Sequence, residues 1–227
     1  MNRQTGIANE WLSFGLALVG GYGDAAGFVL AKTFTGHVTG GLVLATIGVA
    51  GHDWRATLGH VSAVAFFLVG IPLSILLERA LAARSSWPLL PTIMGIEVIL
   101  IVMAYFALVS HVARGTELFV VCMSLALGLQ NGAFRRAGGI SVHTTYLTGT
   151  ITSLIEGQMD RSSSPVIPVP GATPDAKVRI FCGVWIAFVL GGSAGAVMVL
   201  RFGEVGVLGA VLLLLTVMFG NSIADHR

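Results

Sequence analysis

Two acidic side chains sit in stretches where water is scarce. Asp24 is the only charged residue between Leu12 and Ala31, and Glu97 is the only one between Leu89 and Val109. A carboxylate in hydrocarbon is costly unless donors or a cation accompany it, so residues placed this way mark an ion or proton path, or lock a helix break. Glycines at 20, 21, 23 and 27 surround Asp24 and would permit either a close neighbour or local unwinding. Both acids are therefore candidate proton-coupling groups.

Two strings rich in hydroxyls and glycine follow the same logic. The first reads Thr33-Phe34-Thr35-Gly36-His37-Val38-Thr39-Gly40-Gly41, and the second Ser141-Val142-His143-Thr144-Thr145-Tyr146-Leu147-Thr148-Gly149-Thr150. Hydroxyls, imidazoles and exposed amides suit a polar solute or an anion, particularly where a short helix points its N-terminus inward. The same residues also serve to cap short helices and to bond across packed ones. Gln130 and Asn131 add uncharged amides that read a polar edge at less desolvation cost than a charge. The candidate substrate or ion pathway is thus Asp24, Thr35, His37, Thr39, Gly40, Glu97, Gln130, Asn131, His143, Thr144, Thr148 and Gly149.

Other chemistry is poorly supplied. His37 and His143 have no third ligand at helical spacing, so neither a metal nor another cofactor is expected. Cys122 and Cys182 lie in apolar windows without C-x-x-C spacing and read as packing residues. No G-x-S-x-G or H-E-x-x-H string occurs, which leaves an acid–base enzyme built on Asp24, His37, Glu97 or His143 as a weak alternative and a non-enzyme as the expectation.

The elements that must position these residues are membrane helices. Of 227 residues 55% are hydrophobic and 11% charged, and the mean hydropathy is +0.85, well outside the range of soluble domains. Four windows, Leu12 to Ala31, Leu58 to Leu77, Leu89 to Val109 and Ile180 to Leu200, are long enough to span hydrocarbon. Leu118 to Phe134 and Val205 to Gly220 are shorter but uncharged, giving six candidate crossings. Trp11, Trp54 and Trp87 fall near window ends as interfacial anchors. The N-terminal stretch lacks an A-x-A-like site and reads as a retained helix. Residues 159–174, with four prolines and several serines, read as a flexible loop. A net charge of +2 without a basic run argues against a nucleic-acid partner.

Sliding the chain by 109 residues aligns Gly15 to Gly48 with Ser124 to Gly157 without a gap. Leu16, Ala17, Leu18, Gly23, Thr35, Thr39, Gly40 and Gly48 then match Leu125, Ala126, Leu127, Gly132, Thr144, Thr148, Gly149 and Gly157. Each half, 11–110 and 117–221, holds a long helix, a Thr-Gly segment with a short apolar stretch, and two further long helices. Gly36 to Ala50 would rise only about 22 Å as a helix, and its counterpart Val142 to Ile155 is also short.

Counting Lys and Arg decides between two topologies, because these residues concentrate on the cytoplasmic side. If both short stretches cross, the division over eight spans is seven against six. If both enter and return, Arg3, Arg79, Arg84, Arg135, Arg136, Arg161, Lys177, Arg179 and Arg227 share one face, and Lys32, Arg55, Arg114 and Arg201 the other. The second division follows the rule. The expectation is therefore a single all-α integral membrane domain over 1–227, with six transmembrane helices and two re-entrant or broken Thr-Gly segments in an inverted repeat. Eight spans in a parallel repeat are the alternative.

The paired motifs are similar to those of a known family. Gly20-Gly21-Tyr22-Gly23-Asp24-Ala25-Ala26-Gly27-Phe28, with Phe34 and Thr39-Gly40, resembles the first motif of the YoaK-like bacterial membrane proteins, a family defined by a domain of unknown function. Gly128-Leu129-Gln130-Asn131 with Thr144-Thr145-Tyr146-Leu147-Thr148-Gly149-Thr150 resembles its second. Gly41 departs from a pattern that continues Thr-Gly-Asn, which removes any amide contact there. The resemblance implies a six-span bacterial inner-membrane protein, a presumptive small-molecule transporter, with no substrate named. The resulting expectation is a multi-pass inner-membrane transporter of a small polar solute, with protons as coupling ion, both termini cytoplasmic and the lipid bilayer as its surroundings. A passive channel is the runner-up, and homo-oligomer formation is open.

Overall fold

A computed structural model describes residues 3–84, 89–133, 136–137, 140–141 and 174–225. The chain folds into helices α1 (Arg3–Ala31), α2 (Val38–Ala50), α3 (Trp54–Arg84), α4 (Leu89–Val109), α5 (Gly115–Ala133), α6 (Pro174–Phe202) and α7 (Leu208–Asp225). A 3-10 turn, Gly203–Val207, joins the last two. A two-residue antiparallel pair, β1 (Arg136–Ala137) and β2 (Ile140–Ser141), follows α5. Five apolar segments are long enough to cross a membrane, and the last, Val178–Gly220, contains both α6 and α7.

Helix directions follow from side-chain contacts. Glu10 pairs with Arg179, Phe14 lies over Gly183, and Gly195 sits against Tyr22, so α1 and α6 run parallel. Arg55 pairs with Glu117, Gly128 abuts the Phe67 carbonyl, and Gly132 abuts Ile71 and Ser74, so α3 and α5 are also parallel. Between α1 and α5 the order reverses, because Gln130 donates to the Leu16 carbonyl while Gly23 faces Met123 and Leu127. α7 runs opposite to α1, with Gly209 against the Tyr22 ring and Gly15 against Val217.

Close approach at two crossings requires glycine. A Cβ on Gly21 would strike the Phe188 carbonyl, and one on Gly191 the Leu18 carbonyl. At the other crossing a Cβ on Gly128 would strike Phe67, and one on Gly70 the backbone of Gly128 and Leu129. Bringing backbones this close replaces hydrophobic drive with dispersion, the general solution where lipid is as apolar as leucine. Gly192 and Gly195 line the same crossing: a Cβ on Gly195 would strike the backbone of Tyr22, and one on Gly192 would lie 3.6 Å from the Gly21 carbonyl. Around these crossings lies the core, including Leu16, Val19, Met94, Ile101, Phe119, Met123, Ile180 and Leu214. Leu42, Ile47, Leu76, Ile99, Leu190, Leu200 and Leu212 are exposed on the outside, as lipid-facing residues are.

Two sequence readings change. α1 is continuous through Ala31, so Asp24 sits on an intact helix and not at a break within it. Cys122 is buried as expected, but Cys182 is exposed. α2 carries the half-length apolar stretch, and its C-terminal end returns toward the start of α3: Gly41 packs on Val64, and Gly48 on Thr57. Since α1 ends and α3 begins at the same end of the bundle, the chain at 32–37 must fold back along α1, and α2 climbs out again. Trp11, near the start of the apolar span within α1, and Trp54, the first residue of α3, are both exposed. Trp87, residues 159–173 of the expected loop and the second short stretch at 142–155 lie outside the described residues, while Pro174, expected to end the loop, opens α6.

Candidate functional site

The backward fold begins at Lys32, whose φ of 55° turns the chain out of α1. Asp24 lies two helical turns before that point, roughly 10 Å deeper along the axis. Its carboxylate is the anchor of the returning strand. Oδ1 accepts from the backbone amides of Thr35 and Gly36, each at 2.8 Å. Oδ2 lies 3.1 Å from His37 Nδ1, and the Thr35 hydroxyl donates to the Gly23 carbonyl at 3.2 Å. A Cβ on Gly27 would come within 2.7 Å of the Thr35 methyl, which accounts for a small residue there.

Asp24 therefore pins the turn that leads into α2: both amides it accepts from, Thr35 and Gly36, precede the N-cap residue His37. A third contact comes from the His37 ring itself. Asp24 and Thr35 are buried. The His37 side chain is 35% exposed. The hydrogen bond to Asp24 pushes its imidazole above the ordinary histidine range; burial opposes this and the Asp24 charge adds to it. Around His37 are aromatic rings: Phe34 at 5.7 Å, itself stacked on Phe28 at 4.7 Å, and Phe188 of α6 at 6.4 Å.

The remaining candidates divide by place. A Cβ on Gly40 would come within 3.1 Å of the Phe34 ring, and Thr39 is exposed. Gln130 lies away from His37: its Nε2 donates to the Leu16 carbonyl at 2.8 Å, while its buried Oε1 has no partner among the described residues. Asn131, next to it, is buried as well. Glu97 on α4 is fully buried, and neither carboxyl oxygen has a hydrogen-bond partner among the described residues. His143, Thr144, Thr148 and Gly149 lie outside the described residues. So the structure unites Asp24, Thr35 and His37 with Gly40, and leaves Gln130 and Glu97 as separate polar points.

Several polar residues escaped the sequence reading. His60 of α3 is buried, with Nδ1 3.1 Å from the Thr33 hydroxyl, which also lies 3.2 Å from the Ala31 carbonyl. If that hydroxyl donates to the carbonyl, His60 must donate from Nδ1. Its only signal in the sequence is a histidine near the start of an uncharged window. Tyr22 reaches the Gly206 carbonyl across the bundle, tying α1 to the 3-10 turn. Ser124 is buried on α5 without a partner among the described residues. Among the described residues no group of three or more His, Cys, Asp or Glu could hold a metal ion.

This is a helical, multi-pass membrane protein whose buried polar centre is a carboxylate holding the turn that leads into a short helix. The chain belongs to the family described as "Protein of unknown function (DUF1275)", whose model matches residues 12–220. It is similar to the UPF0700 transmembrane protein YoaK of Bacillus subtilis (strain 168), 26% identical over 144 residues, 62% of this chain. That alignment covers 63% of the relative's length. No solved structure matches the chain.

Proposed function

We propose that the protein is a transporter of a small polar solute in the bacterial inner membrane, crossing six times with both termini cytoplasmic. The observation that carries this reading is the half-length helix α2, entered through a buried polar turn and pinned at depth by Asp24. Backbone of that kind inside a bilayer is sustained where protein covers it or a water-filled cavity reaches it, as at transporter binding sites. An inverted repeat is supported by the opposed directions of α1 and α5 and by their reciprocal partners. The first helix of each half packs on the second long helix of the other, against Phe188-x-x-Gly191 in one case and Phe67-x-x-Gly70 in the other. Asp24 also bears on the solute. Because a buried carboxylate stands at the turn into α2, a neutral or cationic solute fits better than an anion. A carboxyl within the bundle offers the proton as coupling ion.

Flux into proteoliposomes tests the reading. Saturable uptake with counterflow is expected for a member of a broad panel of neutral and cationic solutes. A panel in which nothing crosses, with or without a proton gradient, overturns it. Flux without counterflow makes the protein a passive facilitator. No nucleophile motif favours an enzyme, and hydrolytic turnover is not expected.

A further inference from the structure

The two intramembrane acids have opposite surroundings. Asp24 has both oxygens engaged, by two amides and an imidazole. Glu97 has neither engaged among the described residues, although it is as deeply enclosed as any residue in the core. An ionised carboxylate surrounded by apolar groups and without a single donor is the most costly arrangement a side chain can have, whereas its neutral acid needs only to bury a hydroxyl and a carbonyl. We propose that Glu97 is the reversible proton-binding group of this bundle, held as the neutral acid in this conformation, and that Asp24 is a structural latch for the turn into α2.

The other ionisable groups leave that role to Glu97. α5, which packs along α4, brings Glu117, paired with Arg55 at the bundle end, and Cys122. α7 brings no titratable side chain within 208–220, and the 3-10 turn brings only exposed Glu204. α3 carries His60, engaged with Thr33, together with Glu78 and Arg79 toward its far end, and α4 itself carries Tyr105. Tyr22 and Asp24, on α1, are bonded to Gly206 and to the polar turn. None of these bonds Glu97. A metal cation is a poor alternative, since hard cations collect several ligands and among the described residues no group of three or more His, Cys, Asp or Glu could hold one. A proton needs one oxygen.

The coupling role rests on the transporter reading, but proton binding does not, and the test reads binding alone. Purified full-length protein in detergent is treated with dicyclohexylcarbodiimide, an apolar reagent that takes the proton of a carboxylic acid and adds its oxygen to the carbodiimide carbon, and the adduct is located by peptide mass spectrometry. The expected result is an adduct on Glu97 at acidic and neutral pH, lost at alkaline pH and absent in Glu97→Gln, with Asp24 unmodified throughout. No adduct on Glu97, or one whose yield does not fall as pH rises, overturns the proposal. Protection by sodium at fixed pH and ionic strength would also overturn it, in favour of a metal cation.

A second arm uses E97Q as a mimic of the neutral acid. Wild type should lose melting temperature relative to E97Q as pH rises, and coinciding difference curves at every pH would overturn the proposal. His37 is common to both chains and cancels. A negative flux assay would count against the transporter reading and leave the proton site standing, while a failed labelling experiment would do the reverse.

Discussion

At the level of single residues, Asp24 has a sharply defined job. Replacing it with alanine orphans two buried amides and the imidazole they share a partner with, each unmet donor costing about 1–3 kcal/mol. Asp24→Ala is therefore expected to lower the melting temperature strongly and to make a cysteine at Thr39 react faster with maleimide, as α2 comes loose. Asp24→Asn keeps one acceptor and should do less. The His37 contribution has a definite sign. Its imidazole is held above the ordinary histidine value of 6.5 mainly by the Asp24 hydrogen bond, so the stabilisation is fully present below that value and is lost as pH rises through the raised one. In Asp24→Asn this part of the pH profile should flatten, and a profile unchanged from wild type would refute the pairing.

At the level of elements, glycine usage and helix endings make separable predictions. Gly128→Ala forces α3 and α5 apart at Phe67 and should destabilise, whereas Gly95→Ala meets nothing within 4 Å and should be neutral or stabilising by up to about 1 kcal/mol through helix propensity. Thermal melts of the two variants in one detergent check this directly. Two residues past the end of α4, His111 has φ 50°, a left-handed conformation that costs a side-chain-bearing residue about 1 kcal/mol. His111→Gly should raise the melting temperature slightly and His111→Val lower it. Much of this level was legible beforehand. The apolar windows located the long helices, and the short span of Gly36 to Ala50 marked α2 as unable to cross. What the windows could not show was the continuity of α1 past Asp24, because glycines that permit unwinding equally permit a second backbone to lie against them, and only the position of Phe188 distinguishes the two. The Asp24–Thr35 contact was likewise hidden, since eleven residues of separation carry no periodic signal.

For the whole molecule, the folded-back turn separates the two topologies weighed from charge. Lys32 and Arg55 flank α2 and are both exposed. Single cysteines at these positions should be labelled from the same side of the membrane by an impermeant maleimide in cells, and opposite sides would favour eight crossings. Charge counting reached the two-sided grouping because Arg and Lys near helix ends are read independently of any contact. The described partners agree with it: Arg179 meets Glu10 at one end of the bundle, Arg55 meets Glu117 at the other. The separation of Glu97 from Asp24 was not legible, because two carboxyls in apolar windows look alike until their neighbours are known.

The reciprocal packing of the halves has an assembly consequence. The glycine face of α1 is covered by α6, and that of α5 by α3, so neither half encloses its own first helix. A chain severed between α5 and α6 should leave two fragments with complementary exposed seams. Co-expressed from separate genes, fragments 1–165 and 166–227 are expected to copurify through a tag on either one, and each alone to be degraded. Function would then survive a cut that removes covalent continuity.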